Sequence, residues 1–267
     1  MAITTLDGAL AGMKPASYFA KAVSGTLVAG RPMNLNYLAG VPGAMVAPAP
    51  GLAGTALTSY AGQIPIPAAS GNTHVARFSG VSSAQGGMLL LCDRLWHNSG
   101  LVVTTTTAQT VNSVAWPARD INGSTNGVGV MVGLEISAAT GAGAATPTIS
   151  YTDESGNAGS TGSMQVTYAA SSITGTFYPF TLAAGDTGVR SIQSCTLGVS
   201  MTSGSISLVA YRVLASIELT AAGLPNAIDS LTGGLPRCYD TSVPFLLFVP
   251  QTTTTTLTTG TVVFTQG

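Results

Sequence analysis

Apolar residues recur at every second position in the longest patterned segments of the chain. One segment carries apolar side chains at Val128, Val130, Val132, Leu134 and Ile136. In another, every second residue from Val209 to Leu219 is apolar, and Arg212, Ser216 and Glu218 lie between them. A period of two places successive side chains on opposite faces of a strand. The chain is therefore predicted to be all-β, because the β-branched content of these segments favours strands over helices.

Turn signals separate the alternating runs, and no repeat of about 20 to 50 residues is visible, which disfavours solenoids and propellers. We predict an antiparallel sandwich over residues 76–267, of which a jelly roll is one form. A hairpin with an exposed loop of roughly ten residues is predicted at 153–162. Phe245 to Val249 is predicted to be a short buried strand. The threonine run after Gln251 predicts an exposed edge strand or a strand between subunits.

Residues 1–75 form a Gly-, Ala- and Pro-rich segment that is predicted to be an extended arm. Proline is tolerated at the first position of a helix, so one short helix is predicted from Pro15 to Val23, with Tyr18, Phe19 and Ala22 as its packing face. The apolar residues of the arm need cover, from either its own domain or a neighbouring subunit, and the sequence leaves both open. The candidate assembly contacts are Tyr18, Phe19, Leu35, Tyr37 and Leu38.

Charge is scarce, since only 19 of the 267 residues are Asp, Glu, Lys or Arg. That is 7% of the chain, where a typical soluble domain carries about 25%. A surface of neutral hydroxyls and glycines loses its water more cheaply than a charged one. This composition suits a subunit whose exterior is covered by neighbours. A secreted or adhesive β-domain is the alternative, although the predicted loop at 153–162 has no aromatic platform for a sugar.

Several partner classes are disfavoured by composition. The nine basic residues are scattered and the net charge is −1, so no basic stripe is available to contact nucleic acid. No apolar stretch approaches the 18 to 20 residues or so that span a membrane as a helix. The first ten residues lack the pattern of a signal peptide, and synthesis in a cytosol is expected.

Residues suited to catalysis, cofactor binding or metal binding are few, and we expect none of these functions. A Cys92–His97 nucleophilic pair is disfavoured by its spacing, and Cys92, Cys195 and Cys238 are expected to be buried free thiols. Asp120 with its asparagine neighbours lacks the spacing of an EF-hand and predicts a turn instead. Two polar-aromatic clusters are predicted to be structural anchors: Asp93, Arg94 and Trp96 in the first, and Trp116, Arg119 and Asp120 in the second.

Several segments of the chain resemble stretches of a virion structural protein family of tailed bacteriophages. They are Cys92 to Gly100, Thr104 to Thr110, Trp116 to Gly127, Ala183 to Gln193, and Tyr239-Asp240 with Val243 to Leu247. The resemblance covers most of the chain and carries no catalytic motif. It implies a capsid decoration (cement) protein that bridges capsomers, with a tail or neck component as the alternative.

The same resemblance implies a set of partners and a location. The chain is expected to associate with itself, as a homotrimer, and with the major capsid protein. It is expected in the virion, after synthesis and assembly in the host cytoplasm. No membrane and no nucleic acid are expected among its partners.

Overall fold

The computed structural model describes residues 3–22, 27–84, 86–164 and 166–267. It confirms the predicted all-β class, with antiparallel sheets in a sandwich-like arrangement and one short helix near the N-terminus. The elements are α1 (Leu6–Ala11), β1 (Ser17–Ala22), β2 (Met33–Asn34), a 3-10 turn (Leu35–Tyr37), β3 (Gly40–Val41), β4 (Thr55–Ala56), β5 (Thr73–Ser82), β6 (Gly87–His97), β7 (Ala108–Thr110), β8 (Met131–Ala138), β9 (Thr148–Asp153), β10 (Ala158–Met164), β11 (Phe177–Thr181), β12 (Val189–Thr196), β13 (Ser205–Leu219), β14 (Asn226–Asp229), β15 (Pro244–Pro250) and β16 (Leu257–Gln266). The jelly-roll form of the sandwich stays a prediction.

The chain divides into two compact units. The first unit comprises Met1–Val46, Ser59–Asp93 and Val213–Gly267, and the second comprises Ala47–Thr58 and Arg94–Arg212. The sequence did not indicate this division, because it predicted an arm over residues 1–75 and a sandwich over 76–267. None of the helices in the described ranges is long and apolar enough to cross a membrane.

A five-stranded sheet forms much of the first unit, in the order β14-β5-β16-β1-β3. Its central strand is β16, which pairs with β5 on one side and with β1 on the other. The prediction of an exposed edge or intersubunit strand after Gln251 was therefore wrong. Val262 and Phe264 in β16 are fully buried, and burying them requires neighbouring strands. The same unit contains β15 between β2 and β6, which confirms the strand predicted at Phe245 to Val249.

The helix predicted from Pro15 to Val23 is wrong for the residues described there, because Ser17–Ala22 is strand β1; Val23 lies outside the described residues. Phe19 pairs with Gly260 in β16, and a Cβ at Gly260 would lie 2.5 Å from the Phe19 ring. A strand more than two hundred residues away thus supplies the site that buries Phe19. The helix of this segment lies earlier, where the Thr5 side chain caps α1 by accepting a bond from Gly8 N at 3.1 Å.

A buried lysine ties the start of the chain to the five-stranded sheet. Lys21 in β1 is 0% exposed, and its ammonium donates to the carbonyls of Leu38 and Gly43 at 3.2 Å each and to that of Pro42. Burial lowers the pKa of Lys21 to about 8. Carbonyl oxygens thus satisfy this cation, and the loop before β4 is held against β1. Part of the predicted arm is therefore built into a sheet.

The second unit contains strands in the order β13-β8-β11-β10-β9-β12-β7. Its core is apolar and fully enclosed, with Trp96, Leu134, Tyr151, Phe180 and Leu208 among the residues exposed by 1% or less. The hairpin predicted near 153–162 is present, but β10 begins at Ala158, so its loop is much shorter than ten residues. Asp153 closes this turn by accepting bonds from Asn157 N and Nδ2, both at 2.8 Å.

Candidate functional site

A buried ion pair lies inside the second unit, between Arg94 in β6 and Glu135 in β8. Arg94 Nη1 and Nη2 donate to the two Glu135 carboxylate oxygens at 2.9 and 2.8 Å, and Arg94 Nε donates to His97 Nδ1 at 3.1 Å. The two charged side chains are 1% and 0% exposed. Sequence reasoning missed Glu135. Its signal was a lone carboxylate between Leu134 and Ile136, since such a group is almost never buried unless it is paired.

Arg119 uses its guanidinium to join separate segments of the second unit. It donates from Nη1 to the Leu57 carbonyl at 2.7 Å and from Nη2 to the Arg94 carbonyl at 3.1 Å. Arg119 is 1% exposed. Because an unpaired buried carbonyl costs free energy, these bonds fix the chain on both sides of the guanidinium.

Asp120 organises the turn that precedes β8. Its carboxylate accepts bonds from the backbone N–H groups of Asn122, Ser124, Gly127 and Val128 and from the Ser124 hydroxyl, at 2.7 to 3.1 Å. Burial raises the pKa of Asp120, but the bonds from Ser124, Asn122 and Val128 outweigh it and leave the pKa below its usual value. The carboxylate therefore works as a turn-forming acceptor. Across the described residues, no cluster of three or more His, Cys, Asp or Glu could hold a metal ion.

The remaining predicted anchors are buried and hydrogen-bonded as well. Trp96 Nε1 donates to the Ala53 carbonyl at 3.0 Å, and Trp116 Nε1 donates to the Val189 carbonyl at 2.7 Å. The two tryptophan rings lie 5.1 Å apart, inclined at 58°. Asp93 belongs to the first unit, where its carboxylate accepts from Ser242 Oγ at 2.7 Å and from the N–H of the next residue, 243, at 2.8 Å.

Cys92 and His97 have protonation properties opposite to those of a nucleophile and its base. Burial, and then the charge of Asp93, raises the pKa of the Cys92 thiol far above its usual range. Burial, and then the charge of Arg94, lowers the pKa of His97 to about 2. A thiol nucleophile needs a depressed pKa, and a general base needs one near the working pH. The protonated thiol and the neutral imidazole are suited to packing.

We expect acid to destabilise the second unit through His97. The pKa is about 2 in the folded unit and about 6.5 in an unfolded chain. Between these values only the unfolded chain binds the proton, so stability falls as the pH falls below about 6.5, by about 1.4 kcal/mol per pH unit. The free energy of unfolding can be measured with urea and tryptophan fluorescence. Because of His97, it should be about 2 kcal/mol lower at pH 5 than at pH 7.

The matched control for this pH dependence is His97→Gln, which keeps a hydrogen-bonding side chain but does not titrate. Between pH 7 and pH 5, the free energy of unfolding of the variant should fall by about 2 kcal/mol less than that of the wild type. An unchanged difference in the variant would show that other groups cause the acid sensitivity. Both tryptophans of the chain lie in the second unit, so the fluorescence reports this unit.

The five candidate assembly contacts differ in their exposure. Phe19, Leu35 and Leu38 are buried within the chain, at 1%, 0% and 7% exposure, and Tyr37 is half-buried. Tyr18 is 61% exposed. Of these residues, Tyr18 alone has most of its side chain exposed, because alternation along β1 directs it away from the side that buries Phe19.

One face of the five-stranded sheet, here called the outer face, is open. The strand register and alternation place on it Tyr18, Ala20, Ala22, Val41, Arg77, Ser79, Val81, Ala227, Asp229, Leu257, Thr259, Thr261 and Val263. All of them are half-buried or exposed. Arg77 and Asp229 are its two charged members. Sequence reasoning named Tyr18 and Ala22 but missed the rest of this face, because the register that assembles it joins strands distant in the chain.

A shallow groove of about 350 Å³ opens on the outer face beside β14. Its lining includes Ser79, Val81, Ala227 and Thr259. Tyr18 lies in the same cross-strand row as Ser79, because Tyr18 pairs with Thr261 and Thr261 pairs with Ser79. The protruding ring and the groove thus lie on opposite sides of β16.

No protein family model and no curated protein matches the chain. Among solved structures, it is similar to the infectious bursal disease virus VP2 subviral particle, with 11% identity over 98% of this chain and 83% of that chain and a TM-score of 0.22. It is also similar to T=1 particles derived from infectious bursal virus, with 10% identity over 96% of this chain and 79% of that chain and a TM-score of 0.19. At TM-scores this low, the similarity does not establish a common fold.

Proposed function

We propose that this chain is a non-enzymatic structural subunit of a virion. Its most specific proposed role is that of a capsid decoration protein of a tailed bacteriophage, which contacts other copies of itself and the major capsid protein. The resemblance to the phage family implies a homotrimer as the form in which it associates.

The observation that carries this proposal is the near absence of surface charge. Of the 19 charged residues, eight are buried: Lys21, Asp93, Arg94, Arg119, Asp120, Glu135, Asp153 and Arg212. The other eleven share an accessible surface of 10247 Å², which is about one charge per 930 Å² when the area is divided by eleven. A subunit with the usual 25% or so of charged residues would carry several times more.

A neutral surface favours a protein that is covered by neighbours. Burying an ion costs several kcal/mol unless it is paired, whereas Thr and Ser hydroxyls can exchange water for a partner's backbone groups. Apolar burial then contributes about 25 cal/mol per Å². The chain uses its buried charges to fix its own interior and presents few to solvent. Contacts with neighbours are thus expected to depend on apolar and hydroxyl surface.

We expect the chain to leave the particle at nearly the same temperature in low salt and in 1 M NaCl. At 1 M, screening confines charge interactions to about 3 Å and leaves apolar contacts in place. The test is to heat DNA-filled particles at both salt concentrations, and to measure the released chain and the released DNA. Particles assembled without the chain are the control, and they should release DNA at a lower temperature.

Two results would contradict the proposal in different ways. Release of the chain by salt alone at room temperature would show that charge pairs hold it. If particles without the chain keep their heat resistance, the decoration role fails, and a tail or neck role takes its place.

A further inference from the structure

The outer face carries a projection and a recess that match each other. Tyr18 projects from β1 with 61% of its side chain exposed. The groove lies two strands away, with β5 and β14 on its far side and Thr259 of β16 on its near side. We infer that a second copy of this chain packs on the outer face about a two-fold axis, so that Tyr18 of each copy enters the groove of the other; this contact is separate from those of the proposed homotrimer.

Symmetry selects a second copy as the occupant. A two-fold axis that lies in the plane of the face and follows β16 exchanges its two sides. It therefore places β1 of one copy over β5 of the other, and β3 over β14. Tyr18 and Ser79 share a row, so both tyrosines reach the facing grooves at once. Identical surfaces that contact each other reciprocally are what a two-fold interface requires.

The chemistry of the face permits this packing. Arg77 lines the groove and pairs across strands with Asp229. Apart from these two and Tyr18, the face carries alanines, valines, a leucine, a serine and threonines, and the hydroxyls lose water at little cost where they gain a hydrogen-bond partner. Stacked sheets pack about 10 Å apart with their strands roughly 30° from alignment. Tyrosine is enriched among residues that dominate interface energies, because it buries a large rigid surface.

The area sets the strength of the contact. Strands lie about 4.8 Å apart and rise about 3.3 Å per residue, so five strands of up to ten residues give a face of at most about 800 Å². A standard stable interface uses about 800 Å² per partner. Because β3 and β14 are short, the pair is expected to be weak alone and firmer in a repetitive shell. The expectation of a firmer contact within a shell rests on the proposed function, whereas the contact itself can be measured in solution.

Cross-linking tests where the axis lies. Thr259 is on β16, so Thr259→Cys places one thiol from each copy opposite the other, between sheets whose backbones lie about 10 Å apart. A bismaleimide of that reach should join the copies into a covalent dimer. Thr104→Cys, which changes an exposed threonine of the second unit, should give none at the same low protein concentration. The native cysteines are buried, and burial raises the pKa of Cys195 to about 12, so they should not react.

Sedimentation of the full chain tests the role of Tyr18. Tyr18→Asp should weaken self-association by about 30-fold or more, whereas Tyr18→Phe and Val102→Asp, at an exposed valine of the second unit, should leave it near the wild-type value. An unchanged melting temperature of Tyr18→Asp confirms folding.

Equal cross-linking of the two cysteine variants, or unchanged self-association of Tyr18→Asp, would overturn the inference. Either result leaves the heating experiment on particles unaffected. Conversely, a chain that pairs as expected in solution but adds no heat resistance would contradict the proposed function alone.

Discussion

Replacing Glu135 with alanine is expected to destabilise the second unit by about 3 to 5 kcal/mol. Glu135 accepts two bonds from Arg94 at 2.9 and 2.8 Å in a site from which water is excluded. Removing the carboxylate leaves the guanidinium buried without this anion, and losing one partner of a buried ion pair is far more costly than breaking a surface pair. If the free energy of unfolding falls by about 2 kcal/mol per M of urea, the midpoint of unfolding should shift down by about 2 M.

Two further variants separate the ion pair from general damage. Glu218→Gln, at an exposed carboxylate of the first unit, should change stability by less than about 0.5 kcal/mol. The double variant Arg94→Met with Glu135→Leu removes both charges and should recover much of the loss, because apolar residues can replace a buried ion pair at little cost. A Glu135→Ala variant as stable as the wild type would show that Arg94 finds another anion or reaches water.

Replacing Trp96 with alanine is expected to cost about 3 to 5 kcal/mol of unfolding free energy. Trp96 is 0% exposed and lies 5.1 Å from the ring of Trp116, so its removal leaves a cavity that packed strands can fill only in part. The Ala53 carbonyl also loses the donor that lies 3.0 Å from it. Urea unfolding can be followed by the fluorescence of Trp116, which remains in the same unit.

Trp96→Phe is the matched control for this substitution. It keeps an aromatic ring but removes the N–H group and part of the volume, so its cost should lie between that of the wild type and that of the alanine variant. Val102→Ala, at a valine that is 52% exposed, should be nearly neutral. If Trp96→Ala unfolds at the wild-type urea concentration, the tryptophan is not an anchor.

Both substitutions change interior residues, whereas the proposed function depends on the surface. The distribution of charged residues connects the two. The chain has few charged residues, and eight of its 19 are buried. Several of them hold loops and strands together, as Lys21, Arg119 and Asp120 do through carbonyl and N–H groups. Because these eight charged residues stabilise the interior, only eleven are left for the surface, which is therefore sparsely charged.

The sequence by itself determined the all-β class and several strands. The alternation that ends at Leu219 predicts β13, and the apolar run from Phe245 to Val249 predicts β15. Both signals are local, because the two-residue period of a strand relates each side chain to its sequence neighbours. The total charge, and hence the sparsely charged surface, is likewise a property of composition.

Tertiary structure alone decided which segments meet. Ser17–Ala22 is compatible with a helix when taken alone, but pairing with β16 at the other end of the chain makes it a strand. The Arg94–Glu135 pair and the row that joins Tyr18 to Ser79 also depend on strand register. Register is set by which strands bury their apolar faces together, and a one-residue shift would turn every side chain to the opposite face. Local periodicity shows that a strand has two faces, but only the assembled sheets determine what each face contacts.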